Sequence, residues 1–481
     1  MKKIFAIFMT ICLLASALCV TAFAADPVVM SVYGLKKDGE TKVILDTFTD
    51  FSVGWEAVVD YAEDHDTMDI SGYERIVVDF HADWNANSEG EFGDGGDGFE
   101  WSTIHVPGKV SITMNLNGHT INRGLGDNNE LDGEVIRVEG KADLIINDGT
   151  ITGGNSDNGA GGLHITGGAT VTLNNVNVIG NEADGDYGGG IALHDESTLI
   201  MKGGSVSNNR NDSLSEEAAG VYLNSSTATF EGVTFSNNQN IFYASRGTLI
   251  YADNKSRVTM KQCEVFDNGT INASLDTKGS ISLIVADRHT DLVITETTFH
   301  DNGDAASVHS GFYTSCLIDI GSTSYAYIDN CTFTNNSAAY LLTSQTGNFD
   351  ITNTRFLNNS ANVFYGCTKN AGTFSDCVFN NNPAYKSTDY YSFNFIDTDS
   401  RVRFIRCDFG NSTFNNRGKA KFMNTVEPNG IGSIFGEGSP AIIIAIIALV
   451  ASGVSIFMVA NLKKKSAHAA DDNTAGIEDE K

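Results

Sequence analysis

The chain has 481 residues, carries 60 Asp and Glu against 31 Lys and Arg, and has a formal net charge of −29. So acidic a chain repels nucleic acid and anionic lipid and suits cations or neutral glycans as partners. Five prolines against 49 glycines, with Asn, Ser and Thr crowding the segment ends, favour many short strands joined by tight turns.

Residues 1–25 read as a secretory signal. Lys2 and Lys3 precede the apolar run Ile4–Val20, and Ala22-Phe-Ala24 supplies a small-x-small cleavage site. Cys12 and Cys19 leave with it. Residues 26–110 form an N-terminal cap and entry strands. Within them Gly54–Glu63 places Trp55, Val58, Val59 and Ala62 at helical spacing, which predicts a short amphipathic helix over the open first coil. Arg75–Phe80 reads as the first strand. Glu89–Glu100 is an acidic, glycine-rich insertion whose Asp94, Asp97 and Glu100 are a candidate Ca²⁺ loop or a solvated turn.

Residues 111–426 are repetitive. An apolar anchor recurs at Ile121, Ile151, Val178, Val206, Phe235, Val265, Phe299, Phe333, Phe356, Phe379 and Phe409, spaced by 23 to 34 residues. Upstream of each anchor the apolar residues alternate, as in Val171-Thr-Leu173, and downstream comes an Asn-Asn slot, as in Thr334-Asn-Asn336. Period two is a strand signal, and one copy is too small to bury its own apolar face. Stacked copies bury a continuous core. The expected architecture is an all-β parallel solenoid of about eleven coils, about 50 Å long at one strand spacing of about 4.8 Å per coil. The Asn-Asn slot falls at a turn, where Asn accepts left-handed angles and stacked Asn side chains bond along the axis.

Cys263, Cys331, Cys377 and Cys407 each stand two residues before an anchor, and Thr297 and Thr354 fill the slot between. A column of small buried thiols follows. Cys263 and Cys331, two coils apart, are too distant to bridge, whereas Cys377 and Cys407 are neighbours and can. The pairing of Cys316 and Cys367 stays open.

Residues 427–439 form a glycine-rich linker. Residues 440–461 are apolar and long enough to span a bilayer as one helix, and Lys463-Lys-Lys465 follows as a stop-transfer signal. Residues 462–481 make a polar cytoplasmic tail. The expected topology is a single-pass cell-membrane protein with the solenoid outside.

Gly161-Gly-Leu163, Gly189-Gly-Gly-Ile191 and Ala219-Gly-Val221, together with Phe-x-x-Asn at Phe235, Phe299, Phe333, Phe356 and Phe379, resemble the repeats of the chlamydial polymorphic-membrane-protein adhesins. More broadly the chain is similar to right-handed parallel β-helix proteins of the pectin-lyase-like superfamily, over about residues 110–415. The autotransporter barrel of the adhesins has no counterpart here. The resemblance implies either a surface-displayed binding rod that contacts an extracellular glycan or surface protein, or a polysaccharide lyase or glycoside hydrolase on the same fold.

Three places are candidates for chemistry. Asp253, Asp287 and Asp397 each stand five residues before a strand. Asp253 and Asp287 lie in neighbouring coils, beside Arg288 and His289, with Arg257 and Arg401 near. Paired carboxylates there suit Ca²⁺ or glycosidic chemistry, and the enzymes of the resembled superfamily use Asp-bound Ca²⁺ and a basic residue. The alternative is that each Asp caps a turn. The acidic insertion is the second candidate. The third is an outward row in which His164 aligns with Ala192 and Tyr222, and Thr166 with His194 and Asn224. Such a row suits glycan contact. No Ser-His-Asp order, phosphate loop or zinc spacing is visible.

Overall fold

The computed structural model describes residues 26–63, 72–86, 103–125, 133–157, 159–184, 187–212, 218–240, 247–270, 282–303, 316–344, 347–366, 371–382, 401–410 and 421–425. The signal segment, the acidic insertion with Asp94, Asp97 and Glu100, Cys367, Asp397, the linker, the apolar 440–461 stretch and the tail lie outside them. Among the described residues no helix is long and apolar enough to cross a membrane.

The chain opens with an antiparallel pair, β1 (Met30–Lys36) and β2 (Lys42–Phe48), followed by helix α1 (Phe51–Glu63) and strand β3 (Tyr73–Phe80). Asp50 begins α1: its Oδ1 accepts the Val53 N–H at 3.0 Å, satisfying one of the unpaired donors of a helix start. Gly54, Trp55, Val58 and Ala62 form the buried face. A Cβ at Gly54 would collide with the Met30 side chain, so glycine lets the helix lie close on β1. Trp55 Nε1 donates to the His105 carbonyl at 3.0 Å and ties the helix to the first strand of the second sheet.

From β3 onward the strands stack in parallel. A long, bent sheet carries two arms per coil, as in Thr198–Lys202 and Ser205–Ser207. A second sheet of ten described strands runs from Ile104–Val106 to Ser360–Gly366, and a short third one runs from Asn155–Ser156 to Gly269–Thr270. The register is coil on coil: Val171 pairs with Leu199, Leu199 with Ala228, Ala228 with Val258. The stack extends one level before the first repeat, through β3 onto Ser111–Asn115, and one beyond the last, from Arg401–Ile405 onto Lys421–Met423.

Alternation does what the period requires. In Thr170–Ile179 buried and part-exposed residues alternate, break at Asn175, and resume. The break is a left-handed residue between the two arms: φ is 53° at Asn175, 55° at Gln262, 52° at Asn330 and 55° at Asp376. The anchors meet in the core. Phe299 and Phe333 stack at 4.7 Å, Phe333 and Phe356 at 5.0 Å, Phe356 and Phe379 at 5.0 Å, and Phe379 and Phe409 at 4.9 Å, each gap being one strand spacing.

The two asparagines of the slot divide the work. The first turns the chain, with φ of 56° at Asn208, 53° at Asn237, 55° at Asn335 and 55° at Asn358. The second is buried and forms a ladder along the axis. Asn181, Asn209, Asn238, Asn268, Asn302, Asn336 and Asn359 each donate from Nδ2 to Oδ1 of the next, ending on Asn382, at 2.9 to 3.1 Å.

The thiol column is present in the expected register. Cys263, Cys331, Cys377 and Cys407 are buried thiols outside any disulfide, and Cys316 in the second sheet is a buried thiol in contact with the Ser282 and Thr343 hydroxyls. The interleaved threonines join it: Thr297 Oγ1 accepts the Cys263 N–H at 3.2 Å, and Thr354 Oγ1 accepts the Cys331 N–H at 3.3 Å. Burial pushes the Cys331 thiol up to about 12, so it is an inert thiol rather than a thiolate.

Candidate functional site

The Asp corner is organised as turns. Ala252 pairs with Ala286, which sets Asp253 and Asp287 in the same register of neighbouring coils. Their carboxylates have separate partners. Asp253 is fully buried, and the Arg288 guanidinium clamps it: Nε donates to Oδ1 at 2.5 Å, and Nη2 meets Oδ2. Asp287 Oδ1 accepts the Arg288 and Ser322 N–H groups, both at 2.9 Å. Arg288 and His289 are consecutive left-handed residues, φ 43° and 69°, in the turn that Asn254-Lys255 and Asp195-Glu196 form in other coils. The acidic and basic groups at this corner are thus engaged in linking adjacent turns, the capping arrangement rather than an open carboxylate pair.

The outward face of the second sheet is different. His164, Ala192 and Tyr222 pair in register, and Tyr251 continues the column. His105 and Arg137 precede His164 in it. His194 comes from the turn after its strand, and Tyr187 from the glycine-rich segment before it. The rings converge: Tyr187 and His194 lie 4.3 Å apart, His164 and His194 5.3 Å, His194 and Tyr222 5.3 Å, Tyr187 and Tyr222 5.5 Å, and Tyr222 and Tyr251 5.8 Å. Ala160, Ala192, Ala218 and Val285 pack with the tyrosines in a small apolar cluster outside the main core.

Charged groups border the rings. Glu134 is only 4% exposed. Its Oε1 lies 2.7 Å from His164 Nδ1 and accepts from Arg137 Nη1 at 3.1 Å, while its Oε2 is buried without a hydrogen-bond partner among the described residues. Arg137 Nε also donates to Glu139 Oε1 at 2.6 Å. A Cβ at Gly159 would strike both Glu134 Oε1 and His164 Nδ1, so glycine is what lets the loop cross this pair.

Burial, then the neighbouring His164, lowers His194 from its ordinary 6.5 to about 4. Its folded form is therefore the neutral ring. The stability this contributes is complete above pH 6.5 and is lost as pH falls toward 4. Acidification from pH 7 to pH 4 is expected to cost about 3 kcal/mol through His194 alone. Urea midpoints of wild type and His194→Gln across that range measure it, and the variant should lose that portion of the acid sensitivity.

The structure brings His164, His194 and Tyr222 into one ring cluster and adds Glu134, Arg137, Tyr187 and Tyr251, which sequence reasoning missed. Arg137 and Tyr251 had a signal, since each occupies the register of His164 and Tyr222 in another coil. Tyr187 had none, because it reaches the face from a segment outside the repeat register. Asp253, Asp287, Arg288 and His289 stand together at a separate corner. His164, Tyr222 and Tyr251 are buried, so the part of the cluster open to a ligand is Tyr187 and His194, which can contact a ring-shaped polyol by stacking.

No curated protein and no solved structure matches the chain significantly. A family model, "Right handed beta helix region", matches residues 110–281, 218–318 and 280–414. Together these matches cover 110–414, more than half of the 481 residues and most of the parallel stack. The coil-on-coil parallel register agrees with that match, and the chain belongs to the right-handed β-helix family.

Proposed function

We propose that the chain is a surface-displayed, glycan-binding β-helix rod, exported by the 1–25 signal and tethered by residues 440–461 with the solenoid outside the cell. The observation that carries the reading is the ring cluster in which Tyr187 and His194, both partly exposed, rest on the buried His164, Tyr222 and Tyr251. The partly exposed Tyr187 and His194 offer a stacking area at low conformational cost, and the partly exposed Arg137 and Glu139 supply donors and acceptors for hydroxyls. The resemblance to adhesin repeats, the acidic composition and the tribasic stop at Lys463–Lys465 support the same assignment. Helix α1 covers the N-terminal end of the core in this reading, and the ligand is a neutral or cationic glycan.

A second reading, a membrane-anchored polysaccharide lyase or glycoside hydrolase, has one supporting observation. Glu134 is a buried carboxylate with an unpartnered oxygen, beside an imidazole and a guanidinium. Such groups are held at catalytic sites for proton transfer.

One experiment separates the two. Full-length protein in detergent is passed over immobilised neutral, amino and uronate polysaccharides, with products followed by ultraviolet absorbance and reducing ends. Retention without products, weakened about fivefold or more in Tyr187→Ala, is the expected result for a stacking contact of about 1–3 kcal/mol. Products that disappear in Glu134→Gln would replace the binding reading with the enzymatic one. Retention that survives Tyr222→Ala and Tyr187→Ala unchanged would remove the ring cluster from the ligand site.

A further inference from the structure

The third sheet carries an acceptor cluster that the ring face does not use. Asn155 pairs with Glu182, and Glu182 with Arg210, in three successive coils. Beyond the strands the stacking continues, since Asp184 N donates to the Ser156 carbonyl at 3.1 Å and Asp212 N to the Ala183 carbonyl at 2.8 Å. Side-chain alternation then sets Asn155, Glu182, Asp184, Arg210 and Asp212 on one side. One oxygen from each of Glu182, Asp184 and Asp212 lies within 4.8 Å of the others.

Three carboxylates this close repel one another, and Glu182 is 6% exposed, so water screens it little. Burial, and then the neighbouring Asp212 and Asp157, raises the Asp184 carboxyl above its ordinary range; burial does the same to Asp212. Arg210 Nη2 stands 3.8 Å from Glu182 and supplies a single positive charge.

A separate observation points to a ligand. Asn155 is 2% exposed, and its side chain hydrogen-bonds to Asp184. Its Oδ1 is nevertheless buried and accepts nothing from the described residues. Asp184 Oδ1 and Asp212 Oδ1 are in the same condition. A buried acceptor without a donor costs about 1–3 kcal/mol, so such atoms are uncommon and here they are gathered in one place. A hydroxyl or amine would satisfy one or two of them. A hard cation satisfies all of them and the repulsion as well.

We propose that Glu182, Asp184, Asp212 and the Asn155 side-chain carbonyl bind one Ca²⁺ ion across three coils. Carboxylates and an amide oxygen gathered from three coils match the irregular oxygen shell of Ca²⁺ better than the near-ideal octahedron that Mg²⁺ demands. The site is distinct from the acidic 89–100 insertion. It lies three residues before Tyr187 in sequence, and its existence does not depend on what the ring face binds.

The test uses full-length protein in detergent, stripped with EDTA, and titrated with CaCl2 by calorimetry while thermal unfolding is followed in parallel. The expected dissociation constant is on the order of 10⁻⁴ M, with a rise in Tm on saturation. Asp212→Asn and Asp184→Asn should each weaken binding at least tenfold and lose the Ca²⁺-dependent part of Tm. Their ion-free Tm should stay at or above wild type, because each removes a repelling charge. Asp94→Asn should leave this site's binding unchanged. Absence of heat and of any Tm change up to about 10 mM Ca²⁺ in wild type would overturn the proposal. So would undiminished binding in Asp212→Asn, or a loss that follows Asp94→Asn instead.

Discussion

Asn336→Asp is expected to destabilise the solenoid by about 4–5 kcal/mol, although it exchanges one atom group for another of the same shape. Asn336 Nδ2 donates to the Phe299 carbonyl at 2.9 Å and to Asn359 Oδ1 at 3.0 Å. Its Oδ1 accepts the backbone N–H of Asn302 at 3.1 Å and Asn302 Nδ2 at 3.0 Å. A carboxylate keeps the acceptor side and replaces the donor with an oxygen facing two other oxygens. It also places a charge where Asn336 is fully buried. Asn336→Ala should cost nearly as much, since it leaves donors and acceptors of three coils unpaired. The adjacent residue supplies the control. Asn335 has φ 55°, the left-handed region that glycine enters freely, so Asn335→Gly should lie within about 0.5 kcal/mol of wild type. Urea denaturation of the three variants measures this. Equal effects at 335 and 336 would show that the ladder does not hold the coils together.

Phe333→Ala should cost about 4–5 kcal/mol, at the upper end of the range for large-to-small core changes. Its ring is fully buried and sandwiched at 4.7 Å from Phe299 and at 5.0 Å from Phe356. The size of the effect follows from the geometry. In a globular core neighbours relax into a cavity and recover part of the loss. Here the ladders Thr298–His300, Thr332–Thr334 and Arg355–Leu357 hold the coils at one strand spacing, so the flanking rings cannot close the gap. Phe333→Leu, which keeps most of the volume, should cost about 1–2 kcal/mol. The chain itself shows how such a gap is filled when it is tolerated: at Gly372 the position is taken by the Phe349 ring of the preceding coil. A loss near that of Leu in Phe333→Ala would mean that the stack is looser than its spacing implies.

Much of the architecture could be read from the chain because a parallel, in-register stack converts sequence position directly into spatial neighbourhood. Residues one repeat apart are one strand apart, so the anchor, the thiol column and the Asn-Asn slot in the sequence are also columns in space. The division of labour within the slot was less legible. Both positions carry Asn for different reasons, one for its backbone angle at Asn335 and one for its amide at Asn336, and composition alone does not separate them.

The candidate sites split along the same line. His164 and Tyr222 sit on strands, where period two fixes which side a residue faces, and the outward row followed from that. Asp253, Asp287, Arg288 and His289 sit in a turn, where two consecutive left-handed residues redirect the side chains and Arg288 folds onto Asp253. Tyr187 and Glu134 reach the ring cluster from segments between strands, and the oxygens of Glu182, Asp184 and Asp212 meet because the short third sheet stacks them in register, a sheet whose two-residue strands carry no apolar period to announce it. The sequence by itself thus determined the all-β class, the coil register, the core columns and the acidic character of the surface, since each follows from periodicity or composition. Tertiary structure alone decided which polar side chains converge, because turns and loops set those directions and burial then selects which of the gathered charges find partners.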